Sequence, residues 1–139
     1  MRVDVAANVE AARRAWDAFN RRDYETQLQL IHPEIEWRPA QGPGGPEGTV
    51  YRGRDAYARW IYEDMLTVWE FFRGEDLEFR GLEDGRVLIL GNIRGKGRAS
   101  GVDVSVPFGQ IAEVRDGMAY RLTGYLDRES ALAAAGLTE

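Results

Sequence analysis

Few side chains in this 139-residue chain are equipped to do chemistry. There is no cysteine, so no thiol nucleophile, disulfide framework or zinc knuckle is available. The single histidine, His32, excludes a two-histidine metal motif. Directly before Pro33 at a helix end, it reads as a group that satisfies terminal carbonyls and the helix dipole. Asp64 stands out among the carboxylates. It falls near the middle of a helix face made by Tyr57, Trp60, Ile61, Met65, Val68, Phe71 and Phe72. An ionised carboxylate on such a face is unfavourable unless paired, and burial raises its pKa, which suits general acid or base work. The competing reading is that Asp64 tips outward at the helix margin or pairs with an arginine.

Gln110 lies in period with Phe108, Ala112 and Val114, which places it on the concave face of a sheet. A buried amide must find partners, in a structural neighbour or in a ligand oxygen. Asn92, in register with Leu88 and Leu90, carries a weaker form of the same argument. Arg38 is either a surface residue or a pocket cation for a carboxylate or phenolate. Trp16, Trp37, Trp60 and Trp69, with Tyr120 and Tyr125, supply flat apolar surface that can fill a core, line a small-molecule cavity, or both.

The elements that must position these groups follow from spacing. Val5, Val9, Ala12, Trp16 and Phe19 make one face of a first helix capped by Asp4. Asp23 caps a short second helix through Leu28, Leu30 and Ile31, stopped by Pro33. Ile35 to Arg38 alternates as a short strand. Residues 39–48 hold three prolines and four glycines, so they have no regular structure and read as a passive loop or a mobile flap at a pocket mouth. A third helix is predicted over 55–72. Period-two strands follow: one around Leu77 and Phe79, then 87–98, then 102–114 across Pro107, then 118–126 after the Asp116-Gly117 turn. A short helix, 130–135, ends at Gly136. Helices followed by strands give an α+β fold: a curved antiparallel sheet with three N-terminal helices packed over it as a cone, and Pro107 marking a bulge.

Composition bounds the function. The chain is one domain, 1–139, 44% hydrophobic, with 15 aromatics, which excludes disorder as the main state. Net charge is −5, the wrong sign for neutralising nucleic-acid phosphates. No apolar run approaches a membrane span, and Met1-Arg2-Val3-Asp4 begins no apolar signal core, so a cytoplasmic location is expected.

Several segments occur in a familiar order: Trp16-Asp17-Ala18-Phe19-Asn20-Arg21-Arg22-Asp23, His32-Pro33-Glu34-Ile35-Glu36-Trp37, Tyr51-Arg52-Gly53-Arg54-Asp55-Ala56, Val114-Arg115-Asp116-Gly117, and Tyr125-Leu126-Asp127 into 131–137. Together they resemble the SnoaL-like branch of the nuclear-transport-factor-two-like superfamily, which includes steroid isomerases and small polyketide cyclases. The resemblance covers nearly the whole chain and implies the cystatin-like cone. It does not carry over the known catalytic sets. The steroid isomerase base position falls at Arg38, which cannot take a proton from carbon. The oxyanion tyrosine falls near Ala15, and the protonated aspartate near Gln110, whose amide can donate but cannot act as the base. The Asp-Arg-Asp set of limonene-epoxide hydrolases falls at Gly124, Gly91 and Ile93 and is absent.

The resulting expectation is an apolar pocket for a small polyketide- or terpenoid-like molecule, with Trp16, Trp37, Arg38, Tyr57, Trp60, Asn92, Phe108, Gln110 and Tyr120 around it. Any chemistry is cofactor-free and of cyclase or isomerase type, with Asp64 as acid or base. The alternative is a non-catalytic binding or dimerisation module. Both readings include a homodimer through an outer sheet face supplied by Ile89, Ile93 and Ile111, with no metal, nucleic acid or membrane partner.

Overall fold

The computed structural model describes residues 4–40 and 50–138. Helix α1 (Val5–Asn20) begins where Asp4 accepts a hydrogen bond from the Ala7 amide at 2.9 Å. Asp23 caps α2 (Tyr24–Gln29) in the same way through Thr26. Then come β1 (Ile31–Arg38), β2 (Tyr51–Arg52) and α3 (Arg54–Arg59). Strands β3 (Trp69–Gly81), β4 (Val87–Gly97), β5 (Asp103–Arg115) and β6 (Met118–Tyr125) follow, and α4 (Arg128–Ala134) ends the fold. The six strands form one open sheet in the order β2-β1-β6-β5-β4-β3.

Most neighbours are antiparallel, as their turns dictate, but β1 lies parallel to β6. A parallel neighbour needs a long crossover, here everything between Arg38 and Met118. Helix α2 stops at Gln29, earlier than expected, and Pro33 sits inside β1. The ladder to β6 skips from Ile31 to Glu36, so the missing Pro33 amide breaks no paired position.

The third helix departs most from the pattern. After Arg59 the chain enters a π-helical turn over Trp60–Met65, in which the Leu66 amide bonds the Ile61 carbonyl at 2.8 Å, five residues back. By Trp69 the chain is already strand. Phe71 and Phe72, expected on one helix face, therefore alternate across β3. Phe72 faces the helices opposite Gly95, and Phe71 faces away opposite Lys96.

Sheet bending is also located differently. Pro107 pairs with Asn92 in unbroken register and makes no bulge. It lies beyond the end of β6, so its missing amide is not needed there. Besides the Ile31/Glu36 skip in β1, irregularities fall in β3 at Trp69/Phe71 and at Glu75/Glu78, where Asp76 has φ +54°, and in β5 at Glu113/Val114.

Two apolar layers result. On the concave face, α1, α2 and α3 close over Ile31, Ile35, Trp37, Ile89, Ala112 and Leu122. On the convex face, Leu88, Leu90 and Ile111 pack under Ala131 and Leu132 of α4. Gly109 permits that contact, since a Cβ there would lie 2.3 Å from the Ala131 methyl. The outer apolar patch expected from Ile89, Ile93 and Ile111 does not exist. Ile89 and Ile93 point inward, and α4 covers Ile111. Ion pairs lie on the rest of the convex face. Glu36 pairs with Arg52 at 2.6 Å and Arg121 at 2.9 Å, and Arg94 pairs with Asp103 at 3.0 Å. Among the described residues no helix is long and apolar enough to cross a membrane.

Candidate functional site

Between the helices and the concave face lies a cavity of about 540 Å³, within the usual range of small-molecule sites. Small residues of α1 (Ala11, Ala12, Ala15) leave the space open, and Phe19, Phe72, Ile89 and Leu122 wall it. Val106 and Leu126 also line it yet are 50% and 47% exposed, which marks its mouth. Pro39 and Ala40 lie on the wall as well. The remainder of the expected 39–48 loop, from residue 41, lies outside the described residues.

Rings organise the interior. Trp37 meets Trp60 edge-on with centroids 5.1 Å apart, and Tyr57 at 6.1 Å and 77°. Trp16 meets Phe108 at 5.4 Å. Among these rings are two polar groups. In the first, the Trp16 indole N–H donates to Gln110 Oε1 at 3.1 Å, bridging α1 to β5. In the second, Gln27 Nε2 of α2 donates to the Tyr57 hydroxyl of α3 at 2.9 Å. Gln27 Oε1 and Trp37 Nε1 are buried with no hydrogen-bond partner among the described residues. Such orphaned groups are unfavourable in a folded protein by about 1–3 kcal/mol each.

No Asp, Glu, His, Lys or Arg lines the cavity among the described residues. Its ionisable side chains there are Tyr51, Tyr57 and Tyr125. Burial pushes the Tyr57 phenol up to about 12, against the opposing effect of the Gln27 hydrogen bond, so it is a neutral donor at ordinary pH. Burial likewise raises Tyr125. The described residues include no cluster of three His, Asp or Glu side chains able to hold a metal.

The model of the SnoaL-like domain matches residues 12–122, from α1 into β6. The chain belongs to the SnoaL-like family. No curated protein matches it in sequence. Among solved structures, it is similar to a candidate polyketide cyclase from Xanthomonas campestris pv. campestris, at 22% identity. That alignment covers 94% of this chain and 97% of the other, with a TM-score of 0.76. It is also similar to TerC, co-crystallised with polyporic acid, at 26% identity, 95% and 98% coverage and a TM-score of 0.71. A protein of unknown function with a cystatin-like fold, again from Xanthomonas campestris, aligns at 18% identity, 92% and 96% coverage and a TM-score of 0.72.

In this SnoaL-like domain the expected site residues divide. Trp16, Trp37, Tyr57, Trp60, Phe108 and Gln110 come together around the cavity. Arg38, Asn92 and Tyr120 do not. Arg38 shares the outward face of β1 with Glu36, 4.0 Å away. Asn92 follows Leu88 and Leu90 to the convex side, where its amide reaches Asp76 at 3.5 Å. Tyr120 stacks under the Arg115 guanidinium at 3.8 Å and against His32. Asp64 is exposed on the π-helical turn and is not on the cavity wall. The extra residue in that turn rotates it off the aromatic face that an α-helical wheel assigned to it. Trp69 also lies off the wall. Gln27, which sequence reasoning did not single out, is only 3% exposed and is a central polar group of the site. Its spacing from Tyr24 and Ile31 was the available signal, in a helix too short for a periodic face to be read.

Proposed function

We propose that this SnoaL-like domain binds a small, largely apolar molecule of polyketide or terpenoid kind and holds its oxygen atoms with neutral side chains. The observation that carries the reading is the cavity itself: large enough for such a guest, walled by aromatic and aliphatic groups, and furnished with amides, indoles and a phenol rather than charges. A charged guest would enter without a counter-ion among the described residues, which is unfavourable in so apolar a space. The co-crystallisation of TerC with polyporic acid supports an oxygenated organic guest for this fold.

Two roles fit the same cavity. The cyclase- or isomerase-type role uses neutral donors that polarise a ligand carbonyl and stabilise charge developing on its oxygen. The non-catalytic role is simple capture, and it is favoured by the absence of a carboxylate or imidazole base on the described wall.

Calorimetric titration with the uncharged compounds flavone, β-ionone and 1-tetralone tests the reading. Binding with a negative heat-capacity change, weakened by Ala15→Trp, is expected because Ala15 lines the cavity and a large ring there takes up part of the space. Heats of dilution alone for every compound, or binding unaffected by Ala15→Trp, would overturn it. Adding each bound compound in excess and following its absorbance and mass over hours separates capture from turnover.

A further inference from the structure

We infer that Trp16 sets the chemical selectivity of the cavity: by fixing which way round the Gln110 amide stands, it makes this wall a hydrogen-bond donor that takes a ketone or quinone carbonyl. This rests on the cavity being a small-molecule site and specifies which guest it prefers. Gln110 is 7% exposed and stands on the cavity wall in β5. Its Oε1 accepts the Trp16 indole N–H at 3.1 Å. An indole nitrogen can only donate, so it holds the amide oxygen toward α1 and leaves the two Nε2 protons on the other arm of the amide. Among the described residues Nε2 donates to nothing, and it keeps accessible surface where Gln27 Oε1 and Trp37 Nε1 are sealed in. That surface opens on the cavity, because the Gln110 side chain lies on its wall.

The indole is itself held on several sides. Gly74 of β3 lets the ring come close, since a Cβ there would lie 2.9 Å from Trp16 Cζ3. Asn20, one turn beyond Trp16 on α1, clamps the same glycine. Its Nδ2 donates to the Gly74 carbonyl at 3.0 Å, and its Oδ1 accepts from the Gly74 amide at 2.9 Å. Phe19 meets the indole edge-on with centroids 5.6 Å apart, and Phe108 lies 5.4 Å away. The N–H therefore keeps its aim at β5. Turning the Gln110 amide over would set Nε2 against it, donor facing donor, and strip the indole of its acceptor. A guest carbonyl accepts from Nε2 as the amide stands. A guest that offers only an N–H at this point meets a donor and gains nothing.

Three probes with one bicyclic skeleton test this: tetralin, 1-tetralone and 1,2,3,4-tetrahydroquinoline, which carry at position 1 no polar group, an acceptor and a donor. Titrated by calorimetry into the wild-type chain, 1-tetralone should bind about tenfold more tightly than tetrahydroquinoline. Trp16→Phe keeps an aromatic ring and removes the N–H, which frees the amide to turn, so the two should come within about twofold. Tetralin binding reports whether the variant still folds around its cavity. A second readout needs no Trp16 variant. In ¹H–¹⁵N spectra of the wild-type chain the Gln110 side-chain amide pair, identified by its loss in Gln110→Leu, should move several times further with 1-tetralone than with tetralin. An unchanged ratio in Trp16→Phe, or equal movement of the amide pair with both compounds, would overturn the inference while leaving the cavity reading intact. Failure of all three probes to bind the wild-type chain would overturn both.

Discussion

Replacing Tyr57 by phenylalanine should change how stability responds to alkaline pH. In the folded chain burial pushes this phenol from 10.0 up to about 12. In the unfolded chain it ionises near its ordinary value of about 10. Between those values the unfolded state releases its proton first, so stability falls as pH rises. The contribution is fully present below pH ~10 and lost by pH ~12. Two units correspond to about 2.7 kcal/mol in total, of which about 1.3 kcal/mol is lost between pH 9 and pH 11. Tyr24, Tyr62 and Tyr125 are also raised by burial, but they occur in both proteins and cancel in the difference. Urea unfolding of both proteins at pH 9 and pH 11 reads the effect directly. At pH 9 Tyr57→Phe should be less stable by about 1–2 kcal/mol, since it leaves Gln27 Nε2 without its acceptor. At pH 11 the gap should largely close. A gap that stays constant between the two pH values would mean the phenol is not in the dry environment on which the cavity description depends.

Three further outcomes are expected. Asp64→Asn should leave both stability and ligand affinity unchanged, within about 0.5 kcal/mol by urea unfolding, because Asp64 is exposed and off the cavity wall. The Arg121 hydrogen bond, with the Arg52 charge adding to it, holds Glu36 below the usual carboxylate range. Its stabilising contribution is therefore present above the unfolded pKa and lost as pH falls through the folded one, so Glu36→Gln should flatten the acid limb of the stability profile. Gly109→Ala must displace α4, because its methyl would meet Ala131 at 2.3 Å. A loss of about 1–3 kcal/mol is expected, again by urea unfolding.

How much of this was legible in the sequence depends on which periodicity operated. Period two in β5 placed Phe108, Gln110, Ala112 and Val114 on the cavity wall, and the structure has all four there. The same rule applied to β4 set Asn92 beside Leu88 and Leu90 correctly, but their common face is convex, under α4 and its charged surroundings. Alternation tells which residues share a face and not which face is inside. The helix wheel succeeded for α1, where Trp16 and Phe19 reach the wall. It failed after Arg59, because a single i→i+5 turn changes the angular step and no residue type announces one. The parallel pairing of β1 with β6 joins residues as far apart in the chain as Ile31 and Ala119, beyond any local signal. The Gln27–Tyr57 bond joins two six-residue helices and is settled only by tertiary packing.

The indole N–H signals of the four tryptophans, followed by ¹H–¹⁵N NMR as 1-tetralone is added, put the cavity to the most direct test. Trp16, Trp37 and Trp60 line it and should shift together along one saturable curve, while Trp69, off the wall, stays in place. Signals that all remain still, or a Trp69 shift as large as that of Trp37, would contradict an interior built to receive a guest.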